Sequence, residues 1–330
     1  MTATSAGILT IGTYRPDRIV SNSELIPELG VDEEWILTRT GISERRFANP
    51  DETVISMAVE SARAALVAAD IPPDQVDVVI LATSTYTDQT PAAAPAVAAQ
   101  LGCDHPAAFD LTAGCSGYAH GIGQAAALIN AGQADNVLVI GSEKLSPYLD
   151  RTERGVAPIF GDGAGAALVT RTETGHIRKT VWGSDGSRSR LIRQEPHWED
   201  LLAPPGAGLP NLRMEGTEVF RWATTTVPRI VTEIAAAADI PLSDVEVFIP
   251  HQANLRIIDG VARKLGWNNE SVVVADDIRH TGNTSAAALP LAIDDLVKSG
   301  RAKPGQLALQ VSFGAGLSYA GQVFDLPKVA

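Results

Sequence analysis

AADIPPDQVDVVI, residues Ala68 to Ile80, returns 169 positions later as AADIPLSDVEVFI, residues Ala237 to Ile249, with eight of thirteen positions identical. Each copy joins the end of an alanine-rich helical pattern to a β-rich apolar run through an Ile-Pro turn. A chance match of two helix ends is the alternative, and the order of elements around each copy argues against it. Around the first, the apolar periodicity predicts helix 53–69, strand 76–83, helix 91–101, strand 107–111, helix 115–132 and strands 136–142 and 163–170. Behind the second it predicts helices 253–266 and 284–299 and strands near 306–312 and 318–325. The offset is close to half of the 330-residue chain. The pattern predicts an α/β fold built from a duplicated unit, with one half over residues 1–174 and the other over 175–330.

A hydrophobic content of 45% with 20% charged residues describes a soluble globular chain large enough for two cores. The net charge of −13 and a pI near 4.9 argue against nucleic acid or an anionic membrane as the main partner. Two cysteines make no disulfide framework, which suits a reducing compartment. The stretch MTATSAGILTIGTYRP has no basic region before its apolar run and reads as a first strand and turn, so a cytoplasmic location is expected. Leu111 to Ala134 lacks Asp, Glu, Lys and Arg and is long enough to span a bilayer. Its Gly114, Gly117, Gly121 and Gly123, with Gln124, Asn130 and Gln133, instead describe a helix packed inside protein. VDEEWILTRTGISERR and the loop-rich region 184–213 fall outside the repeat and are expected to build substrate surface.

The buried helix begins in DLTAGCSGYAHGIGQ, Asp110 to Gln124. A thiol on such a strand-to-helix turn meets unpaired backbone N–H groups and the positive end of the helix dipole, which favour thiolate. Cys115 is therefore expected below the reference value of about 8.5, and the same amides can hold a carbonyl oxygen as it becomes an oxyanion. Taken alone, Cys115 reads equally as a small buried residue. Cys103 lacks that setting. FIPHQANLRII places His251 just beyond a repeat strand, and RHTGNTSAAALP places Asn283 on a glycine turn before another helix. Singly, these are a hydrogen-bonded strand-end histidine and a helix N-cap. With Cys115 they form a set at strand ends, where α/β folds carry their sites. The run Gly161 to Gly165 precedes a strand rather than opening a helix, so it reads as tight turning and close packing, not a phosphate loop. The six histidines and two cysteines show no metal-ligand spacing.

The sequence strongly resembles the β-ketoacyl-acyl carrier protein synthase III family of the thiolase-like superfamily and looks like an actinobacterial member. EEWILTRTGISERR, DLTAGCSGYAHG, IFGDGAGAAL, FIPHQANLRII, HTGNTSAAALPLA and FGAGLSYAGQ resemble family blocks in family order, across essentially the whole chain. The resemblance implies a homodimer of duplicated five-layered αβαβα subunits and a Cys-His-Asn triad, matched by Cys115, His251 and Asn283. It implies the joining of an acyl-CoA primer to malonyl-acyl carrier protein with loss of carbon dioxide, and no cofactor, coenzyme A entering as a substrate thioester.

On that reading Cys115 attacks the thioester, and its own backbone N–H and that of Ala315 hold the oxyanion. His251 and Asn283 then act as neutral donors to the malonyl enolate. The resemblance also implies Trp35 and Arg154 around the adenine, Arg39 near the phosphates and Asn254 on the pantetheine arm. An acidic carrier protein needs a local basic patch. Arg256, Arg263 and Lys264 share one helical face, with Arg221 on a neighbouring helix by analogy, and an ordinary solvated face is the alternative. Thr90 stands where many similar proteins carry a phenylalanine that closes the partner subunit's acyl pocket, so branched or longer primers than acetyl are expected. A degradative thiolase, an acyltransferase acting on an alcohol or amine, and a scaffold protein are the other readings. The first lacks a well-placed second cysteine, the second needs no decarboxylation, and the third has little use for the triad.

Overall fold

The computed structural model describes residues 5–173, 176–197, 210–268 and 271–330. Its first sheet runs, in spatial order, Lys328–Val329, Ser5–Tyr14, Gly163–Thr172, Asn136–Glu143, Val78–Ala82 and Ala107–Leu111. Its second runs Val273–Val274, Val247–Pro250, Leu307–Gly314, Ser318–Asp325 and Val181–Ser184. With the short Lys328–Val329 strand set aside, the sheets share one pattern. Three parallel strands continue into two more, each antiparallel to its predecessor. Lys328–Val329 crosses the division between halves by pairing with Thr10 and Ile11.

The inner strands are buried on both faces, which explains their continuous apolar runs. Val79 and Leu81 face helices Val54–Ala69 and Ala93–Leu101, while Val78 and Ile80 face the centre of the molecule. In the second sheet, Phe248 faces helices Gly216–Ala237 and Leu255–Lys264, and Val247 and Ile249 face the centre. Helices Gly117–Asn130 and Ala288–Lys298 fill the space between the sheets. The result is the duplicated five-layered αβαβα architecture. Gly121 shows why the central helix is rich in small residues, since a Cβ there would lie 2.7 Å from Val139 Cγ1.

The repeated AADIP has one structural meaning in both copies. Asp70 and Asp239, at the ends of their helices, take the left-handed conformation with φ of 55° and 54°. Outside glycine, that region is most accessible to Asn and Asp, whose short polar side chains offset its strain. The chain then turns through Pro73–Gln75 or Leu242–Asp244 into the strand.

Two expectations are refined. Helix 115–132 begins at Gly117, leaving Cys115 on the 3₁₀ turn Gly114–Ser116; likewise Ser285–Ala287 is a 3₁₀ turn ahead of helix Ala288–Lys298. The loop-rich region contains the hairpin strands Ile192–Glu195 and Asn211–Met214, which pair Asn211 with Glu195 through Met214 with Ile192. Residues 198–209 of that region lie outside the described residues. No described helix is long and apolar enough to cross a membrane.

Candidate active site

A cavity of about 740 Å³ opens where the two halves meet, and Cys115, His251, Asn283 and Ala315 all line it. Cys115 is brought there by its turn, which is fastened to the opposite half. Ser312 Oγ donates to the Cys115 carbonyl at 2.7 Å, and the Ser116 and Ser318 hydroxyls are hydrogen-bonded at 2.9 Å. Two glycines permit the approach. A Cβ on Gly314 would lie 2.7 Å from Cys115 N, and one on Gly114, at φ 53°, would lie 3.2 Å from Ala315 N. The backbone of Cys115 and that of Ala315 thus belong to facing turns.

The expected lowering of the Cys115 pKa is not what the geometry produces. Burial pushes the thiol up to about 11, the neighbouring Glu143 carboxylate pushes in the same direction, and the Ser285 hydroxyl offsets only part of it. The thiol sits at the helix start as expected. Loss of water around the sulfur outweighs the helix amides.

His251 follows strand Val247–Pro250, its backbone N–H donating to Val311 O at 2.7 Å. Its side chain is buried, with Nδ1 meeting no partner among the described residues. Burial holds the imidazole down to about 3. It is a neutral ring at physiological pH. Asn283 is anchored by its backbone, its N–H donating to Ile159 O at 2.8 Å and its carbonyl accepting from Gly161 N at 3.1 Å. Its Oδ1 accepts the Ser285 N–H at 2.8 Å, which fixes the amide orientation and leaves Nδ2 as the donor on the cavity side.

Glu143 and Ser285 were not read from the sequence as site residues. Glu143 ends strand Asn136–Glu143, fully buried, and accepts from Thr83 Oγ1, Ser84 N, Ser84 Oγ, Thr85 Oγ1 and Ser285 Oγ at 3.2, 3.0, 3.0, 2.7 and 2.9 Å. An acid closing the apolar run VLVIGSE was the available signal, because a fully buried carboxylate demands partners.

The cavity mouth gathers Trp35, Arg39, Arg154, Asn254 and Arg256. Arg39 stacks on Trp35, its Cζ 4.4 Å from the ring centroid. The Arg154 guanidinium donates to Leu29 O at 2.9 Å and Gly30 O at 3.0 Å. Asn254 is the N-cap of helix Leu255–Lys264, accepting Arg256 N at 2.9 Å and donating to Arg39 O at 3.0 Å. It therefore holds the helix to the Arg39 segment. Arg256, Arg263 and Lys264 are exposed on that helix, with Arg256 over Phe220 at 5.4 Å. Arg221, on helix Gly216–Ala237, is paired with Glu218 at 2.9 Å. Thr90 is exposed and does not line this chain's own cavity. The glycine run meets its packing reading: Asp162 accepts from Ala48 N and Ser146 N, both at 2.8 Å, and strand Gly163–Thr172 follows.

Two family descriptions match the chain, "3-Oxoacyl-[acyl-carrier-protein (ACP)] synthase III" over residues 109–186 and its C-terminal counterpart over residues 235–326. The beta-ketoacyl-[acyl-carrier-protein] synthase III of Mycobacteroides abscessus is 50% identical, covering 98% of this chain and 95% of its own. The mycobacterial beta-ketoacyl-[acyl-carrier-protein] synthase III of Mycobacterium marinum is 48% identical, covering 98% and 96%. Among solved structures, the priming beta-ketosynthase from the R1128 polyketide biosynthetic pathway superposes with a TM-score of 0.95 at 42% identity, covering 98% of this chain and 97% of that one. The 3-oxoacyl-[acyl-carrier-protein] synthase III of Aquifex aeolicus VF5 gives 0.89 at 37% identity, covering 98% and 100%.

Proposed function

Since the chain belongs to the β-ketoacyl-acyl carrier protein synthase III family, we propose that it condenses an acyl-CoA primer with malonyl-acyl carrier protein, releasing coenzyme A and carbon dioxide. The observation that carries this reading is the convergence of Cys115, a buried neutral His251 and the oriented Asn283 amide on one cavity. Cys115 is the nucleophile, and the backbone N–H groups of Cys115 and Ala315 receive the oxyanion of the tetrahedral intermediate. Coenzyme A leaves, and the primer stays on sulfur. Decarboxylation of the malonyl group then places negative charge on its thioester oxygen. A neutral imidazole N–H and the Asn283 Nδ2 stabilise that charge without the counter-charge a cationic donor would bring. The carbanion attacks the acyl-Cys115 carbonyl, and the β-ketoacyl carrier protein departs. The cycle uses no cofactor.

At the mouth, the Trp35–Arg39 stack offers a flat face for adenine and a cation for phosphate, with Arg154 beside it and Asn254 toward the pantetheine arm. Arg256, Arg263 and Lys264, with Arg221 behind them, form the docking face for acidic carrier protein. The acting form is a cytoplasmic homodimer. Strand Ala107–Leu111 supports it, being a sheet edge with Phe109 38% exposed, the kind of edge that a second copy covers. Asp110 on that edge accepts Ala93 N and Ala94 N at 2.8 and 2.7 Å, which ties the segment carrying Thr90 to the same border. Thr90 then faces the partner's primer pocket and leaves room for branched or longer acyl groups, as suits general fatty-acid synthesis or the priming of a polyketide pathway.

Intact mass tests the reading. Wild type incubated with acyl-CoA gains one acyl group, Cys115→Ala gains none, and malonyl-acyl carrier protein discharges the group as β-ketoacyl carrier protein. Discharge by an alcohol or amine, with none by malonyl-acyl carrier protein, replaces condensation by simple acyl transfer.

A further inference from the structure

A thiol held at about 11 must lose its proton as it attacks, and the neighbour that meets it is the Ser285 hydroxyl. Ser285 opens the 3₁₀ turn Ser285–Ala287 with φ of 52°, a left-handed conformation uncommon for serine and held by its N–H bond to Asn283 Oδ1. Ser285 lines the cavity together with Cys115, and its Oγ donates to Glu143 Oε1 at 2.9 Å. Thr85 Oγ1 accepts Lys144 N at 2.9 Å, so its proton is directed at Glu143, and Ser84 N can only donate. A surrounding made only of donors fits an ionised carboxylate, which can only accept. Burial raises its basicity above that of an ordinary glutamate.

We propose that Ser285 relays the Cys115 proton to Glu143 during primer loading and returns it during condensation, a role that rests on the acyl-transfer reading above. In loading, the sulfur bonds to the thioester carbon, the thiol proton passes to Ser285 Oγ, and the serine's own proton passes to Glu143 Oε1. Coenzyme A departs as thiolate through the open cavity and takes a proton from water. In condensation, malonyl loses carbon dioxide, its carbanion displaces Cys115 as thiolate, and Glu143 reprotonates the sulfur through the same hydroxyl. Charge balances in both halves. The malonyl carboxylate's negative charge ends on Glu143, and the single net proton is the one coenzyme A took up. Ser285 touches the reacting atom; Glu143 acts through it.

Among the described residues, the other titratable side chains near Glu143 are Tyr148, whose hydroxyl donates to Thr85 O at 3.2 Å, and Lys144, whose ammonium turns away to Asn49 O and Glu52 O at 2.7 and 2.5 Å.

The test is the pH dependence of iodoacetamide alkylation at Cys115, followed by peptide mass, in wild type, Ser285→Ala and Glu143→Gln. Wild type is expected to show two rises, one as Glu143 ionises and one as the thiol itself does. Both variants are expected to show only the upper rise, to react at least about tenfold more slowly at pH 7, and to approach wild type near pH 10. Two rises in the variants, rates scaled equally at every pH, or faster alkylation of Glu143→Gln at pH 7 would each overturn the relay. The last would mean that Glu143 acts only as a repelling charge. Since alkylation needs no acyl-CoA, a wild type with two rises that loads no primer would remove the acyl-transfer reading and leave the proton path standing.

Discussion

The ring of Phe313 stands edge-on to the imidazole of His251, with centroids 5.3 Å apart and planes at 89°. This apolar wall belongs to the strand that delivers the FGAG turn, so the element that brings Ala315 to the cavity also keeps water from His251. Malonyl decarboxylation is therefore expected to show no inflection near pH 6. Phe313→Ala admits water, moves the imidazole back toward its ordinary range near 6.5, and adds that inflection to the profile. The same burial has a stability signature. Between about pH 6.5 and pH 3 the unfolded chain binds a proton at His251 that the folded chain does not, so stability falls as the pH drops through that window. The loss of urea midpoint between pH 7 and pH 4 should be smaller in His251→Leu than in wild type.

Gly314→Ala tests the closeness of the two turns. Its methyl group would meet Cys115 N at 2.7 Å and Cys115 Cβ at 2.8 Å, contacts relieved only by moving backbone. Primer loading should fall on the order of 10²-fold from misplacement of the nucleophile. Tm should drop by several degrees.

Removing Arg263 and Lys264 together should raise KM for malonyl-acyl carrier protein about tenfold at low salt, with little effect on loading from acyl-CoA. Arg39→Ala should do the reverse, since its guanidinium stacks on Trp35 at the cavity mouth. Steady-state kinetics varying one substrate at a time separates the two. If both variants shift both substrates equally, the mouth and the helix are one surface.

Thr90→Phe should narrow the primer range. Competition between acetyl-CoA and isobutyryl-CoA, read by the mass of the acyl-enzyme, should shift toward acetyl by about tenfold, the scale set by one or two methylene-sized groups in a pocket. A wild type that already prefers acetyl by more than that margin contradicts the open pocket.

The duplicated core was legible because its signals are local and doubled: an apolar run, an Ile-Pro turn and an aspartate at a helix end, each occurring twice. The placement of Cys115, His251 and Asn283 followed from strand and helix ends, which periodicity locates to within a few residues. The ionisation of Cys115 was not legible. It depends on how much water the cavity excludes and on Glu143, 28 residues away in sequence, and neither shows in DLTAGCSG. The hairpin inside 184–213 was hidden for a different reason. IRQE carries no alternation of apolar and polar residues, NLRM alternates over only four positions, and their pairing brings together strands separated by a long segment.

Duplication also has an electrical consequence. The two central helices, one from each half, both begin at the cavity: Gly117–Asn130 behind the Cys115 turn and Ala288–Lys298 behind the Ser285 turn. A pseudo-twofold arrangement that sets like ends together makes their positive poles add at one point instead of cancelling across the molecule. A chain with a net charge of −13 thereby aims two sets of positive partial charges at the place where the tetrahedral oxyanion and the enolate form in turn. Those partial charges come from backbone repeated twice over, so substitution of a single side chain leaves this backbone contribution in place.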